Sequence, residues 1–226
     1  MAAHFVRAWL REATSARGVA RIAVSGGSTP RAMMKLLAGM TLPWSATEWF
    51  WVDERFVPHD HPRSNYGAAK EDLFDRLSSP PGAVYPMPGE GSLEEGADAY
   101  EAALVRSFGL PRPADGGTAP PCFDLLLLGI GDDGHTASLF PGDDAVERSD
   151  RWVLPVAATD EREARLTLSR PVITAARRVV MLAQGESKRE PLRQARAEGP
   201  LREIPSRLTR EVDSELLWLL DRAAAG

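Results

Sequence analysis

The chain has 226 residues, 43% hydrophobic and 26% charged, enough to bury a substantial core as one domain over residues 1–226. Its 27 Lys and Arg and 32 Asp and Glu give a net charge of −5 with no basic block and no acidic tail, which argues against nucleic acid as a partner. No apolar run reaches the roughly 18 residues of a membrane span, and the single cysteine, Cys122, leaves no intramolecular disulfide or Cys-based zinc site, so the expectation is a cytoplasmic protein away from membranes.

Helical periodicity covers residues 4–16, where Arg7, Arg11 and Glu12 break the apolar pattern that a signal peptide would need. An apolar run at 20–25 then reads as a buried strand. It ends in Ser25-Gly26-Gly27-Ser28-Thr29-Pro30 and leads into a helix at 30–38 with a first-turn proline. Gly27, Ser28 and Thr29 are candidate phosphate ligands, because glycines admit an anion close to the backbone while first-turn N–H groups and the helix dipole favour negative charge. The same residues also fit an ordinary strand-to-helix turn capped by Ser28 or Thr29, and the segment alone does not decide between the two. The absence of a Gly-Lys-Ser/Thr ending speaks against ATP or GTP.

A strand at 49–52 stops in Asp53-Glu54-Arg55, and Ser64-Asn65-Tyr66 opens a helix over 65–77. Charged groups here stand at the carboxyl edge of the sheet, where open α/β folds place ligands. Arg55 can bind a phosphate bidentately and Asp53 can hold a sugar hydroxyl or orient a catalytic group, although a solvated ion pair accounts for the same pattern. His59-Asp60-His61 has no further His or Cys cluster to complete a metal site, so no metal is expected. A helix at 93–108 follows, and the Pro- and Gly-rich stretches 78–91 and 109–121 read as surface loops, since the strands on either side are too few for two independent sheets. Cys122, at the mouth of the next apolar run, reads as a small packed hydrophobe.

Further strands are predicted at 123–129, 152–156, 165–168, 179–183 and 216–220, with a helix at 186–196. This alternation of buried strands and helices makes the fold class α/β, a mostly parallel sheet with helices on both faces. After the strand at 123–129 comes Gly129-Ile130-Gly131-Asp132-Asp133-Gly134-His135. A dinucleotide loop shares its glycine spacing, but Asp132 and Asp133 would lie against the pyrophosphate, and the strand ending near Val156 offers no acid for the ribose. An acid and an imidazole two residues apart on a glycine-loosened loop suit general acid–base chemistry instead, making Asp133 and His135 the candidate catalytic residues. Lys188, in Gln184-Gly185-Glu186-Ser187-Lys188, can reach a phosphate or sugar oxygen from a first helical turn, and is equally consistent with a solvated surface lysine.

Taken together, the 25–30 segment, Asp53-Glu54-Arg55 with Ser64-Asn65-Tyr66, and Gly129 through His135-Thr136-Ala137-Ser138-Leu139-Phe140-Pro141 closely resemble the 6-phosphogluconolactonases, in order and over nearly the whole chain. The first motif is shared with the related glucosamine-6-phosphate deaminases, whereas the stretch from His135 to Pro141 is more particular to the lactonases. The resemblance implies a Rossmann-like sheet of the sugar-phosphate isomerase type, hydrolysis of 6-phospho-D-glucono-1,5-lactone without metal or cofactor, and a monomer whose partner is this small phosphosugar lactone. It implies His135 as the base that activates water and returns the proton to the ring oxygen, with Asp133 and Asp53 shaping the site. Arg55, Lys188 and the Gly27-Ser28-Thr29 loop would hold the 6-phosphate, and Asn65 would lie near the substrate or support the loop. Arg165 also matches a recurring family feature, with an ion-pair role favoured over substrate contact. Family members usually begin with a strand ahead of the first helix, whereas this chain opens almost inside that helix, so the resemblance implies either a missing edge strand or a truncated start. Phe140 stands where the deaminases by resemblance place a glutamate, which favours the lactonase; a non-catalytic phosphosugar sensor is a third, weaker reading.

Overall fold

The computed structural model describes residues 1–112, 119–160 and 162–226. The helices are α1 (Ala2–Arg17), α2 (Ser28–Ala38), α3 (Asn65–Asp72), α4 (Leu93–Phe108), α5 (Arg170–Thr174), α6 (Arg189–Arg196) and α7 (Arg222–Ala225). The strands are β1 (Ala20–Val24), β2 (Thr47–Trp51), β3 (Asp53–Arg55), β4 (Ala83–Tyr85), β5 (Leu125–Leu128), β6 (Val153–Val156), β7 (Arg165–Leu168), β8 (Arg178–Ala183) and β9 (Glu215–Leu220).

Six strands form a sheet in the order β4-β2-β1-β5-β8-β9 with every pairing parallel. Its central strands are the near-continuous apolar runs expected of strands covered on both faces: all four leucines of β5 are buried. The aromatics of β2 show the two covers. Successive side chains on a strand point to opposite faces. This alternation places Trp49 5.6 Å from Phe74 and Trp51 5.3 Å from Tyr66 of α3, while Phe50 between them meets Phe108 of α4 at 5.9 Å. The α/β class, the parallel sheet and the helices on both faces therefore hold.

One expectation needs correction. The strands do not all join one sheet: β3, β7 and β6 form a separate three-stranded antiparallel sheet. The 157–164 connection between β6 and β7 is shorter than the dozen or so residues that a parallel crossover requires, so the pair closes as a hairpin. This small sheet grows out of β2, because the chain passes through Val52, whose N–H donates to Val24 and whose carbonyl accepts from Leu168, before it re-forms as β3. The buried Tyr100 hydroxyl fills the break, accepting from the Trp51 N–H at 2.8 Å and donating to its carbonyl at 3.1 Å. One apolar cluster runs through both sheets.

Other differences are local. The loop expected at 78–91 contains the edge strand β4, and part of the loop expected at 109–121 lies outside the described residues. The helix expected over 65–77 ends at Asp72 and continues only as a 3-10 turn, Phe74–Arg76; that over 186–196 begins as a 3-10 turn, Glu186–Lys188. α1 starts at Ala2 with no strand before it among the described residues. The strand order turns outward in both directions from β1 and β5, so the crevice at their carboxyl ends is the position an α/β sheet offers a ligand.

Candidate active site

A cleft of about 310 Å³ occupies that crevice. The loop after β1 contributes Ser25, Gly26 and Gly27, the small sheet Asp53, Arg55 and Arg165, and the loop after β5 Gly129 to Gly131, His135 and Ala137. Asn65, Phe140 and Lys188 complete the wall.

The Asp-Glu-Arg run divides by strand alternation. Glu54 points away from the cleft into the start of α3, where its buried carboxylate accepts from Ser64 Oγ (3.1 Å) and the backbone N–H groups of Asn65 (2.7 Å) and Tyr66 (2.8 Å). Burial raises its carboxyl above the ordinary range, and these N–H groups pull it back in part. Asp53 and Arg55, on the other face, line the cleft, so the cluster is not a solvated ion pair. Asp53 accepts from Ser138 Oγ at 2.7 Å, and its carbonyl accepts from Asn65 Nδ2 at 2.9 Å. The Asn65 carboxamide lies so close to Gly26 that any Cβ there would overlap it. Asn65 thus ties the first loop to β3 as well as facing the cleft.

Arg55 stands directly opposite Arg165 in the β3–β7 register. Arg55 donates to the Arg63 carbonyl at 2.7 Å, and Arg165 approaches Glu163 at 3.7 Å, yet the Nε of each is buried without a hydrogen-bond partner. Burial lowers the Arg165 pKa, with Asp53 opposing and Arg55 reinforcing the shift. Two cationic side chains facing each other across a ladder repel, and an anion between them removes that repulsion. Arg165, expected to be mainly structural, therefore has both an ion pair and a place in the cleft wall.

On the opposite side, the loop after β5 folds back on itself through Gly131 N–H to the His135 carbonyl (2.9 Å) and Gly134 N–H to the Gly131 carbonyl (3.1 Å). One oxygen of Asp133 accepts from both the His135 backbone N–H (3.0 Å) and ring Nδ1 (2.6 Å). A Cβ at Gly131 would collide with the imidazole and with the Asp133 carboxylate, so this approach requires glycine. Partial burial is the largest single influence on Asp133 and pulls it upward. The hydrogen bonds and charge of His135 together outweigh it and bring Asp133 down to about 2. With Nδ1 donating to Asp133, Nε2 is the ring nitrogen left for a proton from the cleft. Ala137, at φ 52, is the one non-glycine residue in the left-handed region among those described, and it lies on this wall.

Three expected residues stand behind the wall. Asp133 bonds to the His135 imidazole, and Ser28 and Thr29 open α2 without lining the cleft; the Thr29 hydroxyl donates to Gln184 Oε1 at 3.2 Å. Gly27, at φ 105, is the part of that motif that faces in. Lys188 does line the cleft, with Nζ 2.7 Å from Asp132, whose carboxyl it lowers. Ser138 was not singled out by the sequence, although it joins the His135 loop to Asp53.

Among the described residues no group of three His, Cys, Asp or Glu is arranged to hold a metal, and no helix is long and apolar enough to cross a membrane. Residues 1–218 match the family of glucosamine-6-phosphate isomerases/6-phosphogluconolactonase. A 6-phosphogluconolactonase from Synechocystis is 39% identical over 217 residues, 95% of this chain and 87% of that protein. Among solved structures, a 6-phosphogluconolactonase from Trypanosoma cruzi aligns at a TM-score of 0.85 and 30% identity, covering 99% of this chain and 90% of the other. A monomeric glucosamine-6-phosphate deaminase aligns at 0.79 over 99% of this chain and 92% of its own, at 22% identity, a likeness of fold alone.

Proposed function

The chain belongs to the family of glucosamine-6-phosphate isomerases and 6-phosphogluconolactonases, and from that premise we propose that it hydrolyses 6-phospho-D-glucono-1,5-lactone to 6-phospho-D-gluconate, the lactone-opening step of the oxidative pentose phosphate pathway, with His135 as general base. It is an enzyme of the lactone-hydrolase class. The observation that carries the assignment of the base is the 2.6 Å bond from His135 Nδ1 to Asp133, which anchors one edge of the ring in a cleft also lined by Arg55 and Arg165.

Nε2 takes a proton from water as the water oxygen attacks C1 of the lactone. The tetrahedral intermediate collapses with cleavage of the bond from C1 to the ring oxygen. The imidazolium returns its proton to that oxygen, leaving the C5 hydroxyl, and the new carboxylic acid ionises to solvent. Asp133 stabilises the imidazolium in between, a role suited to a carboxylate held well below neutrality. Arg55 and Arg165 supply the cationic seat for the 6-phosphate, with the Gly27 backbone and Lys188 at its edge. Asp53, fixed by Ser138 and Asn65, faces the sugar hydroxyls. No step calls for a metal or cofactor.

Lactones open spontaneously in water, so the test is acceleration above buffer. His135→Ala should lower kcat by at least about a hundredfold with little change in KM, the magnitude of a general base; full turnover by that variant would remove His135 from its role. The deaminase reading is disfavoured by Phe140, a buried ring 4.7 Å from His135, where a second carboxylate would be needed to move a proton. Release of ammonia from glucosamine 6-phosphate would restore it.

A further inference from the structure

The hydrogen bond to Asp133 fixes one edge of the His135 ring but not its tilt, because rotation about the bond that carries an imidazole is soft. Phe140 lies against His135 with ring centroids 4.7 Å apart and planes at 42°, and the Arg162 guanidinium lies over Phe140 at 3.9 Å from its centroid. Arg162 is itself held: Nη2 pairs with Asp143 Oδ2 at 2.6 Å, and its backbone carbonyl accepts from Thr159 at 2.9 Å. Asp143 is anchored in turn by accepting from the Ala145 N–H at 3.1 Å. Arg162 does not line the active cleft; it borders two surface hollows, one shared with Arg63 and Glu163 and one with Pro141 and Asp143.

We propose that Arg162 is a positioning residue for this reaction: carried on the β6–β7 connection and braced by Asp143, it clamps Phe140 and thereby sets the plane of the His135 imidazole. A cation stacked on an aromatic face is attracted to it without competing for hydrogen bonds, so the brace restrains the ring plane while leaving Nε2 free. The clamp rests on the reading of His135 as the base, but its geometry can be tested without substrate.

The experiment compares wild type, Arg162→Gln and Arg162→Lys by lactone kinetics above buffer and by the ring C–H signals of His135. These signals are assigned by their loss in His135→Ala, a tractable task with four histidines in the chain. Misorientation of a catalytic group costs on the order of tenfold or more, so Arg162→Gln should lower kcat about tenfold with KM within about twofold, and should shift the His135 ring signals as Phe140 moves. Arg162→Lys, which keeps a cation over the ring, should recover part of the rate. A purely structural Arg162 would lower the melting temperature and leave the kcat and ring signals of the folded protein unchanged; that result overturns the proposal, as does a rise in KM at constant kcat. If Arg162→Gln does not fold, Asp143→Asn carries the same test by loosening the brace from the outside. A wild type that does not accelerate lactone opening would remove the assigned reaction, whereas unmoved His135 signals in the variants would remove the clamp.

Discussion

Replacing Asp133 by asparagine removes a charge from beside the imidazole while leaving an acceptor of nearly the same shape. The carboxylate oxygen accepts from His135 Nδ1 at 2.6 Å and from its backbone N–H at 3.0 Å, and a carboxamide oxygen in that place keeps both bonds. What is lost is the extra strength of a hydrogen bond to an ion once the ring becomes imidazolium, about 1.5–3 kcal/mol against about 0.5–1.5 for a neutral pair. The Asp133 side chain is 51% exposed, so screening puts the difference at the low end, about 1 kcal/mol, or roughly fivefold to tenfold in kcat. Asp133→Ala also releases the ring and should fall about a hundredfold. Both are measured as initial rates of lactone disappearance above buffer near pH 7, with KM expected to stay constant. In a His135→Ala background neither change should cost anything more, because the two residues act as one unit. Wild-type rates in both single variants, or a further full loss in the double variants, would refute the idea that Asp133 works through the imidazole.

Two other outcomes follow from the same groups. Arg165→Met should raise KM about tenfold or more, weaken the binding of inorganic phosphate, and leave the melting temperature nearly unchanged, since it also removes a like charge facing Arg55; a large fall in melting temperature at constant KM would make Arg165 structural. Asp133, held down to about 2 in the folded protein against about 3.9 unfolded, contributes stability that is present above the unfolded value and lost as pH falls through the folded one. Urea melts should therefore show any advantage of wild type over Asp133→Asn fading between about pH 4 and pH 2; an advantage that grows over that window would contradict the assigned shift.

Much of the site was legible because its motifs are local. Gly131, Asp133 and His135 sit within five consecutive residues, and the chemistry that joins them needs only one tight loop. The Asp53-Glu54-Arg55 run points to the edge of the sheet where the cleft lies, but which of the three faces the cleft depends on a strand that the sequence does not mark: three charged residues carry no alternation of apolar and polar to read. The small sheet was hidden for the same reason. Its strands β6 and β7 looked like those of the main sheet, and only the length of the connection between them distinguished a hairpin from a crossover. Contacts between distant segments left no signal at all: Ser138 on Asp53, Arg165 opposite Arg55, and Arg162 over Phe140 join positions whose neighbours give no hint of a shared site.

The small sheet also explains why those hidden contacts gather in one place. A parallel sheet alone offers the cleft its loops, which here carry His135 and the glycines; the antiparallel β3–β7 pair adds a wall on which two guanidinium groups stand side by side. Such a pair opposes folding, as do the partnerless buried Nε atoms of Arg55 and Arg165 and the positive φ of Ala137, and these residues border the same cleft. Where departures from local rules gather in one crevice, a ligand bound there is a natural source of the compensation. Here the paired guanidinium groups of Arg55 and Arg165 share the cleft with the imidazole, and on the proposed function a phosphate monoester tethered to a lactone by a short carbon chain is an anion suited to relieve their repulsion while its carbonyl meets His135.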